Sequence, residues 1–249
     1  MTGILPILII VLLLMPAASS DTIASEDAYN ATNLSAEYRS LKAEDVFDFP
    51  KDHVLHRPQE VVTNSKLFAE WLYWTGILHD IETGKPYGVQ YTLFQMDLQP
   101  GLMAFINHVA LSDVYNSQHP LYGYSILLEQ ANITSGTDGN KGANWCYEDN
   151  QTNLTYWSDL DSWNIITHGS ASVGGGRSQT VSMNLTIAND KADYYMQSPN
   201  GITELGTCLS IGSDAMAGRS YYYSHPAMST TGTITIGRRT INVTGDSWF

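Results

Sequence analysis

The sequence predicts an all-β protein built as an antiparallel sandwich or barrel. Three observations predict it. Apolar and polar residues alternate with period two from Phe47 onward, turn chemistry separates the alternating runs, and long helical periods are absent. Many short strands at this spacing pack as a sandwich or close as a barrel.

Each element follows from its pattern. Residues 35–43 offer a short helix, with Ser35 as its cap and Glu37 in its first turn. Residues 68–79 alternate as a strand: Glu70, Leu72, Trp74, Gly76 and Leu78 share one face, and Trp71, Tyr73, Thr75 and Ile77 the other. Glu82-Thr83-Gly84-Lys85 has hairpin chemistry, and residues 87–96 return as a second strand. A two-residue turn at Thr83-Gly84 sets Gly76 opposite Tyr91 and Trp74 opposite Leu93, so that an aromatic covers the strand glycine. Residues 103–111 form a third strand, with Ala104, Ile106, His108 and Ala110 on one face. Residues 132–176 lack a clean period and read as long loops with short strands. Residues 180–187 alternate again. A last hairpin turns at Arg238-Arg239, placing Ile236 opposite Ile241 and Ile234 opposite Val243.

The bulk composition limits the partners. The chain has 249 residues, 43% apolar and 15% charged, with a net charge of −13. That charge argues against nucleic acid and against an anionic membrane surface, both of which need clustered Lys and Arg. Residues 1–20 have the shape of a secretory signal peptide: an apolar block over 4–15, then Ala17, Ala18, Ser19 and Ser20. Twelve residues rise about 18 Å as a helix, short of the roughly 30 Å hydrocarbon core. No Lys or Arg precedes the block, so an uncleaved N-terminal anchor is the alternative and the sole expected membrane contact. Residues 21–45 read as a polar lead-in and 46–249 as the folded domain, in a secreted or cell-surface protein.

Seven of the fifteen asparagines open Asn-X-Ser/Thr sequons, where composition alone predicts roughly three. They are Asn30, Asn33, Asn132, Asn150, Asn153, Asn184 and Asn242. The two cysteines, Cys146 and Cys208, read as one disulfide in an exported chain, or else as two separate buried thiols. No third and fourth ligand lies near them for zinc, and neither a metal nor a cofactor is expected. His53 and His56, three apart, read as ordinary loop polarity, with metal ligation as the lesser alternative. Gly174-Gly175-Gly176 lacks the Lys of a phosphate loop and reads as a flexible turn.

Three clusters carry the candidate chemistry: Glu70-Trp71-Leu72-Tyr73-Trp74-Thr75-Gly76, then His108, then Ser220-Tyr221-Tyr222-Tyr223-Ser224-His225-Pro226. A carboxyl at Glu70 shares its face with Leu72 and Trp74, and one so desolvated is suited to donating a proton. The alternative is a Glu bonded to a backbone amide or a buried Arg. His108 reads either as a satisfied core histidine or as a site residue. Aromatic clusters on strands serve the core more often than a site.

The blocks EWLYWTGILHD, YGVQYTLFQ, INHVALSD and SYYYSHP, followed by TGTITIGRRTINVTGDSWF, resemble in order and spacing the carotenoid 1,2-hydratase/AttH family. The likeness spans residues 49–249. Leu72 and Trp74 depart from the family's Glu-Trp-Trp-Tyr-Tyr-Thr-Gly. The resemblance implies a lipocalin-like, calycin-type barrel or strongly bent sandwich, normally paired with a second barrel as domain or chain. That second barrel is expected to be absent, because the family motif breaks off at Asp246-Ser247-Trp248-Phe249. It also implies a hydrophobic, isoprenoid- or lipid-like ligand in the barrel mouth. Trp71, Tyr73, Trp74, Gln90, Tyr91, Phe94, Tyr221, Tyr223 and Trp248 would line it. For acid-assisted hydration or cyclisation of an alkene, Glu70 or a tyrosine such as Tyr222 would donate the proton and His108 would relay or orient. The competing readings are a non-catalytic carrier and, behind it, a secreted hydrolase.

Overall fold

The computed structural model describes residues 49, 51–55, 69–99, 102–113, 121–128, 132–135, 145–172, 176–191, 194–197, 201–204 and 219–249. The expected signal segment, lead-in, short helix, His56, Asn30, Asn33 and Cys208 lie outside them. Among the described residues no helix is long and apolar enough to cross a membrane, and no group of His, Cys, Asp and Glu is placed to hold a metal.

The architecture is all-β and antiparallel. A short 3-10 turn (Lys51–His53) precedes β1 (Ala69–Asp80), β2 (Pro86–Gln99), β3 (Leu102–Asp113) and β4 (Leu121–Leu128). Then come β5 (Asn132–Ser135), β6 (Trp145–Glu148), β7 (Thr152–Trp157), β8 (Ser162–Ser172) and β9 (Ser178–Ala188). The short β10 (Tyr195–Met196), β11 (Ile202–Glu204), β12 (Arg219–Tyr221) and β13 (Tyr223–Ser224) lead to β14 (Met228–Ile236) and β15 (Arg239–Trp248). Eleven strands form one sheet in the order β4-β3-β2-β1-β15-β14-β9-β8-β7-β6-β5. The order is open, so no barrel closes among the described strands. The sheet instead bends onto itself: the Tyr124 and Thr167 hydroxyls meet at 2.7 Å. A Cβ on Gly169 of β8 would lie 2.6 Å from the Tyr124 ring of β4. This is the bent-sandwich form of the expected fold.

Period two decides which side chains fill the bend. Leu72, Trp74 and Leu78 of β1, Tyr91 and Leu93 of β2, and Trp163 and Ile165 of β8 are buried at 4% exposure or less. Val181, Met183, Leu185 and Ile187 of β9 join the same cluster. A second buried network ties β2 and β3 to β6. The Tyr91 hydroxyl donates to Asn107 Oδ1 at 2.5 Å, and Asn107 Nδ2 donates to Tyr147 Oη and Asp149 Oδ2, each at 2.9 Å. Tyr147 donates to the same Asp149 oxygen at 2.7 Å, and the Gln151 and Thr152 amides cap the other at 2.7 and 2.8 Å. Each of these polar groups is satisfied, as buried groups ordinarily are.

Both hairpins differ from the sequence reading by two residues, for a local reason. Trp74 pairs with Tyr91 and Gly76 with Val89. The Asp80 carboxylate lengthens the turn by accepting from the Glu82 amide at 2.9 Å and the Thr83 hydroxyl at 2.7 Å. Gly76 serves the close approach of β15, since a Cβ there would stand 2.6 Å from Asp246 O. In the last hairpin Ile234 pairs with Ile241 and Ile236 with Arg239. The turn falls on Gly237-Arg238, because Gly237 takes a φ of 62°. A shift of two keeps every side chain on its expected face. Residues 132–176, expected as long loops with short strands, contribute β5 to β8; β8 runs to 11 residues, longer than expected. Cys146 carries a free thiol; its sulfur lies 3.7 Å from the Thr155 hydroxyl, which donates to Asn153 Oδ1 at 2.9 Å. The expected bond to Cys208 is therefore not made in this structure.

Candidate functional site

Inner-face rings converge at the end of the sheet where β1 begins and β15 finishes. Trp163 meets Tyr156, Trp74 and Phe249 with centroids 4.7, 4.8 and 6.1 Å apart. Phe249 lies 5.1 Å from Trp74 and 5.4 Å from Tyr223. Its position is fixed by reciprocal backbone bonds with His225, each 3.0 Å. The 3-10 turn lays His53 onto this cluster, where Phe49 stacks on both His53 and Tyr194 at 4.5 and 4.4 Å.

The hydrogen bonds fix the His53 tautomer. Tyr223 donates its hydroxyl proton to the Asp52 carbonyl at 3.1 Å. Its oxygen then accepts from His53 Nδ1–H at 2.8 Å. Nε2 is left as acceptor for the Tyr194 hydroxyl, also at 2.8 Å. Tyr194 stands 3.5 Å from Asp161 Oδ2, a much weaker contact. Tyr156 donates to Asp161 Oδ1 at 2.7 Å. Burial is the main cause that lowers His53 to about 4; nearby His225 adds to it, and Asp161 and Asp52 oppose it. Burial likewise pushes Tyr156, Tyr194 and Tyr223 upward, so all three remain neutral donors.

A pH prediction follows. Unfolded His53 titrates near 6.5 and buried His53 near 4, so between these values the unfolded chain binds more protons. The native state therefore loses stability as pH falls from about 6.5 towards 4, by roughly 2–3 kcal/mol in all. Urea midpoints at pH 7 and pH 4.5 should converge in His53→Asn relative to the wild type. An unchanged difference between the two pH values would contradict the assignment.

Three polar atoms at this end have no hydrogen-bond partner: Trp74 Nε1, Ser224 Oγ and His225 Nδ1. Their residues are 2%, 0% and 3% exposed. Trp74 packs on Phe249, His225 pairs with the Phe249 backbone, and Ser224 precedes His225.

The outer face of the same end carries a second set of aromatics. The register aligns Trp71, Phe94, Ile106 and Leu127 in one row across β1 to β4, with Trp71 41% and Leu127 50% exposed. The next row holds Tyr73 and His108. The hydroxyls of Tyr73 and Tyr222 meet at 2.8 Å, and burial together with this bond raises Tyr73 to about 12. Burial lowers His108.

With this geometry in place, a family model described as AttH-like matches residues 40–249. The chain belongs to the AttH-like family. A search of curated proteins returns no match. Among solved structures, this AttH-like chain is similar to a crystal structure from Nitrosomonas europaea that bears the name AttH. The two are 23% identical with a TM-score of 0.56, over 81% of this chain and 54% of that one. At that identity the likeness shows the fold alone. The AttH-like chain spans about half the length of this relative.

Strand parity sorts the residues that the AttH-like motifs singled out. Glu70, Trp74, Tyr91 and Tyr223 lie on the inner side; Glu70 pairs with the buried Gln95. Trp71, Tyr73, Gln90, Phe94, His108, Tyr222 and Trp248 lie outward, and Tyr221 is 43% exposed. The structure thus brings Trp71, Phe94 and His108 together, and separately Trp74 and Tyr223. It does not bring Glu70 together with His108 and Tyr222. The sequence reading missed His53, whose tyrosine partners lie 170 and 141 positions away; no local pattern signals such contacts. Ser224 and His225 stood inside the flagged tyrosine block, and only their burial distinguishes them.

Proposed function

We propose that this AttH-like chain binds an apolar, isoprenoid- or lipid-like ligand at the inner aromatic end of the sheet. The walls are Trp74, Tyr156, Trp163, Tyr223 and Phe249. The polar end of the ligand is received by Trp74 Nε1, Ser224 Oγ and His225 Nδ1. One observation carries the reading: three buried polar atoms lack partners, on Trp74, which packs on Phe249, on His225, whose backbone pairs with Phe249, and on the adjacent Ser224. Buried polar groups are nearly always paired, and binding sites are apolar enclosures with a few convergent polar groups.

Binding without turnover fits better than alkene hydration or cyclisation. The acid-assisted reading takes Glu70 or a tyrosine as proton donor with His108 relaying or orienting, and strand parity sets Glu70 on the face opposite His108. Tyr73, raised to about 12, is a poor proton donor near neutral pH.

The test uses all-trans-retinol as an isoprenoid alcohol probe, followed by energy transfer from tryptophan. Ser224→Ala and His225→Leu should each weaken binding about five- to tenfold, one hydrogen bond of about 1–1.4 kcal/mol. The ligand-free protein should keep or gain stability, because each change removes an unpaired buried polar group. Unchanged affinity in both variants would overturn the reading.

A further inference from the structure

The register places four sequon asparagines in a single line across the outer face. Asn242 of β15 pairs with Thr233, and Thr233 pairs with Asn184 of β9. Asn184 pairs with Ile166, and Ile166 with Asn153 of β7. Asn153 pairs with Glu148, and Glu148 with Asn132 of β5. The four asparagines therefore occupy alternate strands. At roughly 4.8 Å between neighbouring strands they stand about 10 Å apart.

The sequon threonines form the adjoining line. Thr244, Thr186, Thr155 and Thr134 follow one another through Thr231, Asn164 and Cys146. Outward polar strand residues make sequons easily, but each long strand has several outward positions. Outward facing alone does not put four of them in register. Asn184 and Asn242 are exposed, and Asn153 is partly so. Ile166, 42% exposed, sits between Asn184 and Asn153, where sugar on both sides would cover it. The strands β1 to β4, which carry the outward row of Trp71, Phe94, Ile106 and Leu127, hold no sequon.

We propose that Asn132, Asn153, Asn184 and Asn242 carry N-linked glycans. Together these form a sugar ridge over one half of the outer face and leave the β1–β4 half bare. The donor is a lipid-linked oligosaccharide phosphate or pyrophosphate. The asparagine amide nitrogen bonds to the anomeric carbon, the carbon–oxygen bond to the lipid phosphate breaks, and the amide proton leaves to solvent. No oxidant or reductant is needed. The inference stands on strand register and does not rest on the ligand reading above.

The test expresses the full chain, with its own first 20 residues, in a host that glycosylates exported proteins. Peptides from the recovered protein are treated with a glycan-releasing amidase in heavy-oxygen water and sequenced by mass spectrometry. Labelled aspartate is expected at all four positions. Asn184→Gln and Asn242→Gln should each remove one glycan mass without loss of the folded state, because both side chains are exposed. A chain without sugar overturns the proposal, whether it is retained in the cell or its sequons are skipped. Sugar confined to Asn30, Asn33 and Asn150 overturns it equally.

Discussion

Trp163→Ala should destabilise the protein by about 3–5 kcal/mol, read as a lowered urea midpoint in equilibrium unfolding. Trp163 is 1% exposed and packs against Trp74, Trp145, Tyr156 and Phe249. These rings come from β1, β6, β7 and the residue after β15. Truncation therefore opens a cavity between parts of the sheet that meet only because it bends. Backbone-tethered strands cannot collapse fully into that space, so the cavity adds to the lost transfer free energy. Trp157→Ala, on the exposed side of β7 at 41% exposure, should change the midpoint by less than about 0.5 kcal/mol. Equal losses in the two variants would contradict the packing described.

Gly232→Ala should cost roughly 2–4 kcal/mol although it adds one methyl group. Gly232 sits in β14 between β9 and β15, opposite Leu185 and Val243. Its φ is 151°, a conformation that L side chains rarely adopt. A Cβ there would stand 2.0 Å from Asn184 O and 2.9 Å from Leu185 Cα. Both are backbone atoms of the neighbouring strand, so the clash is relieved only by parting β14 from β9. Hydrogen exchange should show lost protection for the amides of β9 and β14 before those of β2 and β3. Full retention of protection in β9 would contradict this account.

The two variants probe what period two conveys and what it leaves out. Alternation alone assigned Leu72, Trp74 and Leu78 to one face and Trp71, Tyr73 and Ile77 to the other, and burial agrees. The pairing partners were not legible, because they depend on the Asp80 cap and on the left-handed Gly237. Both are properties of the turn rather than of the strands. The strands β7 and β8 were hidden for another reason. Their inward positions include Thr152, Thr167 and Ala171, and Tyr124 lies against Gly169. Small and hydroxylated inner residues erase the apolar signal where the sheet folds most tightly.

The candidate site was legible in part. The blocks around Trp74 and Tyr223 do meet, through Phe249. Their neighbours Trp71 and Tyr222 point the opposite way, which one-dimensional proximity in sequence conceals. His53 enters from a 3-10 turn and is held by Tyr194 and Tyr223. Such a contact belongs to the tertiary fold and leaves no periodic trace.

The central claim is that the inner aromatic end, rather than the outward row of Trp71 and Phe94, holds the apolar ligand. Photolabelling with a diazirine-bearing isoprenoid alcohol, followed by peptide mapping, measures this most directly. The account predicts label on peptides containing Trp74, Tyr156, Trp163 and residues 223–225, competed away by unlabelled alcohol and reduced in Ser224→Ala. Label confined to Phe94, Ile106 and Leu127, insensitive to Ser224→Ala, would contradict it.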